Sequence, residues 1–416
     1  MRRFSLLGLI IMLLVLGALE YYTYTAMKFA VRSVKQPWRQ YLMIGYVVLT
    51  VLWFAALFSF PMLRTASISK GLRNFLVAFS MGFLLMKLLI ALVLLIDDAR
   101  RVIFWVLSKF YHPEQRPALV ESGMTRSDFL ARMALLFGGT LFGGMVYGMT
   151  NRYNYTVRLH KLRFPNLPEA FRGLRVVQIS DIHTGSLNDR AAVGRGIQKI
   201  LDLKPDLIVF TGDLVNNTSD EADEFLPELS KLSAPLGVYS ILGNHDYGDY
   251  VSWETPEAKA ANLERLKDLH RQMGWNLLLD EHVVLERGGE RIGLLGVQNT
   301  SFRNNFHSYG DLAKAYAGSE PLPFRILLSH DPSHWDGEVN ARYRDIDLTL
   351  SGHTHGFQFG VEIPWIKWSP VQYIYKQWAG LYQSGEQYLY VNRGFGFLGY
   401  PGRVGIMPEI TLLELA

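Results

Sequence analysis

A chain of 416 residues exceeds one ordinary domain, and its extreme apolar stretches all lie before residue 151. With no cysteine, disulfides, thiolate metal sites and cysteine nucleophiles are excluded together. The net charge of +4 carries no nucleic-acid signal, and no such partner is expected, because much of the basic surplus flanks apolar spans, where it meets anionic lipid head groups.

Four stretches are each about the ~20 residues that cross a bilayer core: FSLLGLIIMLLVLGALEYYTYTAM, YLMIGYVVLTVLWFAALFSFPML, FLVAFSMGFLLMKLLIALVLLI and FLARMALLFGGTLFGGMVYGM. They predict four transmembrane helices and an integral protein of the cell (inner) membrane, with membrane lipids as partners. The first stretch also fits a cleaved signal peptide, since Arg2 and Arg3 precede its apolar core. Against that, it is long, no small-x-small cleavage site follows, and three more spans come after it. Lys87 in the third span can snorkel, line the bundle or pair with a polar group, and a structural role is expected. An even number of spans places the amino terminus and the residues after 150 on one face. The basic flanks do not choose the face. Arg2, Arg3, Arg64, Lys70 and Arg73 with their fellows mark one side, and Lys28, Arg32, Arg100, Arg101 and Arg116 with theirs mark the other equally. The expectation leans to the cytoplasm.

After residue 150 short β-rich runs alternate with polar helical stretches, which predicts a layered α/β domain. The expected boundaries are a transmembrane region at 1–150, a linker at 151–171 and the α/β domain at 172–416. LRVVQIS reads as a buried strand ending at Asp181, DRAAVGRGIQKILDL as a helix, and DLIVF as a strand ending before Thr211-Gly212-Asp213. This is a strand-helix-strand unit with a right-handed crossover. EADEFLPELSKL predicts an acidic-started helix, GVYSIL a strand ending at Gly243-Asn244-His245-Asp246, and PEAKAANLERLKDLHRQMG an amphipathic helix closed by Gly274. NLLL, HVVLE and RIGLLGV follow as strands, then FRILLS before His330, IDLTLS before His353, YLYVN before Arg393, and EITLLEL.

The strand ends carry Asp181-Ile182-His183, Gly212-Asp213, Gly243-Asn244-His245-Asp246, Ser329-His330 and Gly352-His353-Thr354-His355. All are metal-ligand or proton-transfer types, and residues beyond the carboxyl ends of α/β strands converge on one crevice. Divalent ions of hard or borderline character take carboxylate oxygen, amide oxygen and neutral imidazole nitrogen. One carboxylate can bridge two ions about 3.5–4 Å apart; Asp213, central in the series, is the candidate bridge. Asp181 and His183 reach a common ion if the strand end curls into a loop. Each motif alone is ordinary: Asp-x-His in a loop, TGD at a strand-to-turn junction, GNHD as a tight turn, His-x-His on a surface. The specificity lies in the ordered set.

That set, from Asp181 to His355, resembles the calcineurin-like metallophosphoesterase superfamily, and the β-α pattern extends the likeness over about 172 to 416. The resemblance implies a four-layer α-β-β-α sandwich behind the transmembrane helices and a site for two divalent ions, Mn, Fe, Zn or Co. It implies that Asp181, His183, Asp213 and His355 hold one ion and Asp213, Asn244, His330 and His353 the other. His245 is then a non-ligand histidine facing the leaving-group oxygen, oriented by Asp246. The implied enzyme is a metal-dependent hydrolase of phosphoric esters or pyrophosphates, working by attack of a metal-bound hydroxide. A neighbouring imidazolium that protonates the departing oxygen contributes ~10²–10⁴-fold.

Within the superfamily the sequence is most similar to the membrane-associated branch, which includes transmembrane metallophosphoesterases and some bacterial UDP-2,3-diacylglucosamine hydrolases. GHTHGFQ, a Pro/Trp/Tyr-rich insert, GLY and LYVNRGFG carry that likeness. Phe357 departs from it, because the branch has a second glycine before Gln358; the departure bears on the pocket rim and leaves the ligands untouched. Arg393 is a candidate phosphate or head-group contact, with carboxylate pairing as the alternative. His307 and His334 are expected as structural or rim residues. The insert IPWIKWSPVQYIYKQWAGLY, residues 363 to 382, places Trp365 and Trp368 either in an interfacial belt that contacts an amphiphile or in a folded aromatic minicore. An amphipathic rim beside the metals implies a lipid-linked phosphate or pyrophosphate. The alternatives are a soluble phosphoester with the spans as an anchor, a non-catalytic metal-binding regulatory module, and a transporter or receptor regulated by the soluble domain. The complete ligand set argues against the second of these and the sparse ionisable residues of the spans against the third. Protein partners are not specified by any motif.

Overall fold

A computed structural model describes residues 6–63, 68–110, 126–303 and 306–416. Arg2, Arg3, Arg64 and Arg116 of the charged flanks lie outside the described residues. The chain forms two compact units, Met1–Tyr147 and Gly148–Ala416.

The first unit holds helices α1 (Leu6–Ala30), α2 (Trp38–Leu63), α3 (Lys70–Phe110) and α4 (Arg126–Gly148). All four are long and apolar enough to cross a membrane. α3 outruns the stretch that predicts it: 41 residues at a rise of 1.5 Å make ~60 Å, twice the ~30 Å hydrocarbon core. The helix continues through Asp97 because that buried carboxylate is satisfied locally by Arg100 and Arg101, at 2.8 and 2.9 Å. Lys87 takes the pairing option. Its ammonium is fully buried, ion-paired to Glu20 of α1, and lies 3.3 Å from the Tyr46 hydroxyl and 3.4 Å from Thr50 Oγ1 of α2. One side chain thereby ties three helices, and the pairing avoids the cost of a lone charge among apolar residues. Gly138 serves close packing: a Cβ there would lie 3.0 Å from Ile90 of α3.

The second unit is built from β1 (Thr156–Leu162), β2 (Leu174–Ile179), β3 (Leu207–Phe210), β4 (Val238–Ser240), β5 (Asn276–Leu277), β6 (Glu281–Arg287), β7 (Glu290–Gly296), β8 (Arg325–Leu328), β9 (Leu348–Ser351), the hairpin β10 (Val361–Ile363) and β11 (Ile366–Trp368), then β12 (Gly380–Ser384), β13 (Gln387–Val391) and β14 (Glu409–Leu415). Two six-stranded sheets result, in the orders β1-β14-β2-β3-β4-β5 and β12-β13-β9-β8-β7-β6. The helices that matter for the layers are α5 (Arg190–Asp202), α6 (Leu226–Leu229), α7 (Pro256–Gln272) and α8 (Leu312–Tyr316).

Strand alternation sorts the core into layers. On β2, Val177 and Ile179 face Val193 and Ile197 of α5 and join Leu266 and Leu269 of α7. Leu174 and Val176, one residue out of phase, face Ile292, Ile326 and Leu348 of the other sheet. Leu295, Leu327 and Leu389 then turn to Leu312 and Ala315 of α8. The layers read α-β-β-α. Asp189 caps α5 by accepting from Ala192 N, and Thr255 caps α7 by accepting from Ala258 N.

Two expectations are corrected. Residues 151–171 are more than a linker, since β1 pairs in parallel with β14, Thr156 opposite Glu409. Its alternation gives no strong burial signal because Val157 and Leu159 stay exposed on an edge strand. EADEFLPELSKL is not one helix. It breaks into a 3-10 turn at Ser219–Ala222 and the short α6, with Pro227 at the start of the second piece, where its missing N–H does least harm.

Candidate metal centre

Each predicted donor lies just beyond a strand end, and parallel pairing of β2 with β3, β3 with β4 and β8 with β9 turns those ends the same way. Gln178 Nε2 donates to the Ser351 carbonyl at 2.9 Å, joining the two sheets at this edge. The chain then turns sharply. Asp181, His183, Asp213, His353 and His355 have φ of 51°, 50°, 63°, 72° and 51°. A side chain in this left-handed region is disfavoured by about 1–2 kcal/mol, so five in one cluster mark geometry held against local preference, as functional sites do. A Cβ on Gly352 would overlap Ser180 Oγ and Asp181 Oδ2. Glycine there lets the next amide, His353 N–H, donate to Asp181 at 3.0 Å.

Two donor groups form. Asp181, His183 and His355 each offer one atom within 4.8 Å of the others, and Asp213, His330 and His353 do the same. Asn244 Oδ1 joins the second group, 3.1 Å from His330 Nε2 and 2.8 Å from His353 Nδ1. Asp213 stands between them: Oδ2 is 3.5 Å from His183 Nε2 and 3.2 Å from His330 Nε2.

The electrostatics suit cations. Burial pushes His183 down to about 3, His353 down to about 4, and His355 well below the ordinary imidazole value; their nitrogens therefore keep lone pairs at neutral pH. His330 goes the other way, to about 10, because the Asp213 carboxylate beside it outweighs burial. Burial, with the Asp213 charge adding to it, pushes Asp181 up to about 7. Nε2 of His183 and of His355 are buried without a hydrogen-bond partner among the described residues. Orphaned imidazole nitrogens beside buried carboxylate and amide oxygens are a donor set for borderline divalent ions, so these residues fit two of them.

Outer contacts fix the rings. His183 Nδ1 lies 3.2 Å from the Val215 carbonyl and His330 Nδ1 2.7 Å from that of Thr211. Donation from Nδ1 aims each Nε2 inward. His353 is held from behind by the Tyr375 hydroxyl, 2.8 Å from Nε2 and 3.2 Å from Asp331 Oδ2. Tyr375 lies in the aromatic insert, and neither it nor Asp331 was visible as a site residue; the one signal is that Asp331 follows His330 directly. Arg403 was also missed. It is fully buried, 3.4 Å from His355 Nδ1 and bonded to the Arg393 carbonyl at 2.7 Å. Nothing in its local sequence marks it.

Four predicted residues lie differently from their expected roles. Asp246 does not orient His245: its carboxylate accepts from the N–H groups of Gly243, Asp213 and Leu214 at 2.8–2.9 Å, pinning two strand-end loops together. The His245 ring is oriented instead by its Nδ1 contact to the Asn216 carbonyl, 2.7 Å. Arg393 is buried between Glu409 and Glu362, at 2.5 and 2.6 Å, which is the carboxylate-pairing alternative. Trp365 and Trp368 do not line the cleft. Trp365 is 80% exposed at the tip of the β10–β11 hairpin, while Val371, Tyr375 and Trp378 of the same insert form a small buried core with Ile406. The insert thus divides between an exposed hairpin and a minicore. His334 is a buried structural residue held between Ser329 and Glu338.

The donors open on a cleft of about 320 Å³. His183, Asp213, Asn244, His245, His353 and His355 line one part of it, and Phe306, Phe357, Val371, Ile374 and Leu398 another. Phe357, at a φ of 58°, keeps the left-handed backbone that a glycine would adopt and adds a ring to the rim.

Two family models match the chain: "Probable Calcineurin-like phosphoesterase, transmembrane domain" over residues 2–152, and "Calcineurin-like phosphoesterase" over residues 174–357. The uncharacterized metallophosphoesterase YkuE of Bacillus subtilis is 32% identical, over 70% of this chain and 98% of that protein. A zebrafish (Danio rerio) transmembrane protein with metallophosphoesterase domain is 31% identical, over 71% of this chain and 64% of its own length. The UDP-2,3-diacylglucosamine pyrophosphatase LpxG of Chlamydia trachomatis is 31% identical, over 60% of this chain and 86% of that enzyme. With four apolar helices ahead of a two-sheet sandwich whose strand ends gather these donors, the chain belongs to the calcineurin-like metallophosphoesterases, in the branch that carries a transmembrane domain.

Proposed function

We propose that this chain is a membrane-anchored phosphoesterase with two divalent ions, hydrolysing a phosphate ester or pyrophosphate of an amphiphile. The observation that carries the reading is the cleft, in which two donor groups joined by Asp213 share one opening with an apolar wall. Asp181, His183, Asp213 and His355 would hold one ion and Asp213, Asn244, His330 and His353 the other. When bound, the ions withdraw charge from phosphorus and bring the pKa of water from 15.7 towards ~7, supplying hydroxide near neutral pH. His245 does the rest of the proton work. Its Nδ1 is committed to the Asn216 carbonyl, so Nε2 is the atom that holds a proton for the departing oxygen. Asp246 keeps the loops bearing Asp213 and His245 in register, since it accepts amides from both.

Three observations support an amphiphilic substrate. The last transmembrane helix ends at Gly148 and β1 begins at Thr156, so the sandwich is tethered within a few residues of a span. Phe357 and Ile374, on the cleft wall, are 54% and 49% exposed, so the apolar wall reaches the surface. The chlamydial relative is named for a pyrophosphate joined to a diacylated sugar. The test is hydrolysis by detergent-purified protein, with metal added back, of phospholipids, nucleotide-linked lipids and soluble phosphoesters. Activity confined to the soluble compounds sinks the amphiphile.

The exposed hairpin gives a sharper check. Trp365→Ala with Trp368→Ala is expected to lower kcat/KM several-fold on a lipid-linked substrate in mixed micelles and to leave a small soluble phosphoester nearly unchanged. Remote contacts supply binding energy only to the long substrate. Equal losses on both would mean a collapsed loop. Four spans also place the amino terminus and the sandwich on one side of the membrane, and the cytoplasm is the side proposed. Reporters fused at residues 1 and 416 should report the same compartment; opposite sides would refute four crossings.

A further inference from the structure

We propose that Arg303 forms a subsite for a second anionic group beside the phosphorus under attack, so that the cleft selects diphosphate diesters over simple phosphodiesters. The inference rests on the phosphoesterase reading above and names the substrate class within it.

Arg303 is the one cationic side chain among the described residues that line the cleft. It is held without being neutralised. Nη1 donates to the Ile374 carbonyl at 2.6 Å, and the guanidinium carbon lies 4.8 Å from the centre of the Tyr375 ring. Tyr375 in turn bonds His353, so the ring that carries Arg303 is anchored directly to the donor cluster. No carboxylate within ion-pair distance matches Arg303 among the described residues. Three further cations are spent: Arg393 on two carboxylates, Arg403 on backbone carbonyls, Lys367 on the Ala379 carbonyl.

A guanidinium has five N–H donors, and one is used here. Placing an unmatched cation beside a centre that fits two dications is unfavourable unless the substrate brings charge to satisfy both. A phosphodiester brings one negative charge, which the donor cluster's ions would absorb. A diphosphate diester brings two, one on each phosphorus, and the second falls to Arg303. Planar, bidentate recognition of phosphate is what arginine does better than lysine. The same contact favours cleavage between the phosphates, because the departing phosphate leaves with a charge that Arg303 already faces.

The test uses full-length protein in mixed micelles with Mn²⁺, and compares CDP-diacylglycerol, a diphosphate diester, with phosphatidylglycerol and bis(p-nitrophenyl) phosphate, which are phosphodiesters. Arg303→Met should lower kcat/KM on CDP-diacylglycerol by about 10–100-fold, the scale of one lost charged hydrogen-bond pair, and change either phosphodiester by less than about 3-fold. Arg303→Lys should recover part of the loss. Metal content and melting temperature should match the parent, which separates recognition from misfolding. Equal losses on all three substrates would place Arg303 on the reacting phosphate and overturn the proposal. So would no loss on CDP-diacylglycerol, or a parent enzyme that cleaves the phosphodiesters and leaves the diphosphate intact. A metal-loaded parent that cleaves none of the three would instead overturn the phosphoesterase reading beneath it.

Discussion

Asp213→Asn is expected to lose hydrolysis by more than ~10³-fold and to bind fewer than two metal ions per chain, because one carboxylate serves both donor groups. The side chain is all but inaccessible and reaches His183 and His330 at once. Burial raises its carboxyl, but the neighbouring His330 and His245 more than offset that and hold it well below the usual range, so it stays charged. An amide keeps one oxygen and puts an N–H₂ where the other oxygen faces an imidazole. It cannot bridge. The substitution is otherwise mild, since asparagine tolerates the left-handed backbone that Asp213 adopts at a φ of 63°. Metal content by mass spectrometry and turnover with excess Mn²⁺ decide the matter. Full turnover with two ions bound would place the bridge elsewhere, and an unfolded variant is identified by circular dichroism of the metal-free protein.

How legible the centre was in sequence follows from what fixes each residue. That Asp181, Asp213, Asn244, His330 and His353 gather at one edge was legible because a strand end is a local feature, read from period-two burial and a following turn, and because parallel strands carry their ends to one edge. Partner choice is not local. Asp246 was assigned to the histidine beside it in the chain, yet its carboxylate found a row of backbone amides on the neighbouring loop, donors no side-chain pattern announces. Arg393 met Glu362 from β10 and Glu409 from the last strand, 31 and 16 residues away in sequence. Tyr375 was read only as one aromatic among several, since the bend that swings it onto His353 depends on the minicore of Val371 and Trp378. The four spans were plain from composition, while β1 was hidden because an edge strand can leave apolar residues in the open.

The largest effect expected without loss of metal belongs to His245. His245→Ala should lower kcat by ~10²-fold or more while both ions remain bound, because the ring belongs to neither donor group and lines the cleft beside them. Its placement gives the effect a definite chemistry. Nδ1 is tied to the Asn216 carbonyl at 2.7 Å, and the ring packs against Tyr250 with centroids 4.5 Å apart, so Nε2 has one direction to offer a proton. The backbone N–H of the same residue donates to Asp213 Oδ1 at 2.9 Å, a contact that alanine preserves. The metal site should therefore survive the substitution and the proton should not. A substrate with a good leaving group, such as a p-nitrophenyl ester, needs less help from an acid and should lose less than an alkyl ester. Equal losses on both leaving groups would remove His245 from proton transfer, and loss of the ions in the variant would make it a ligand.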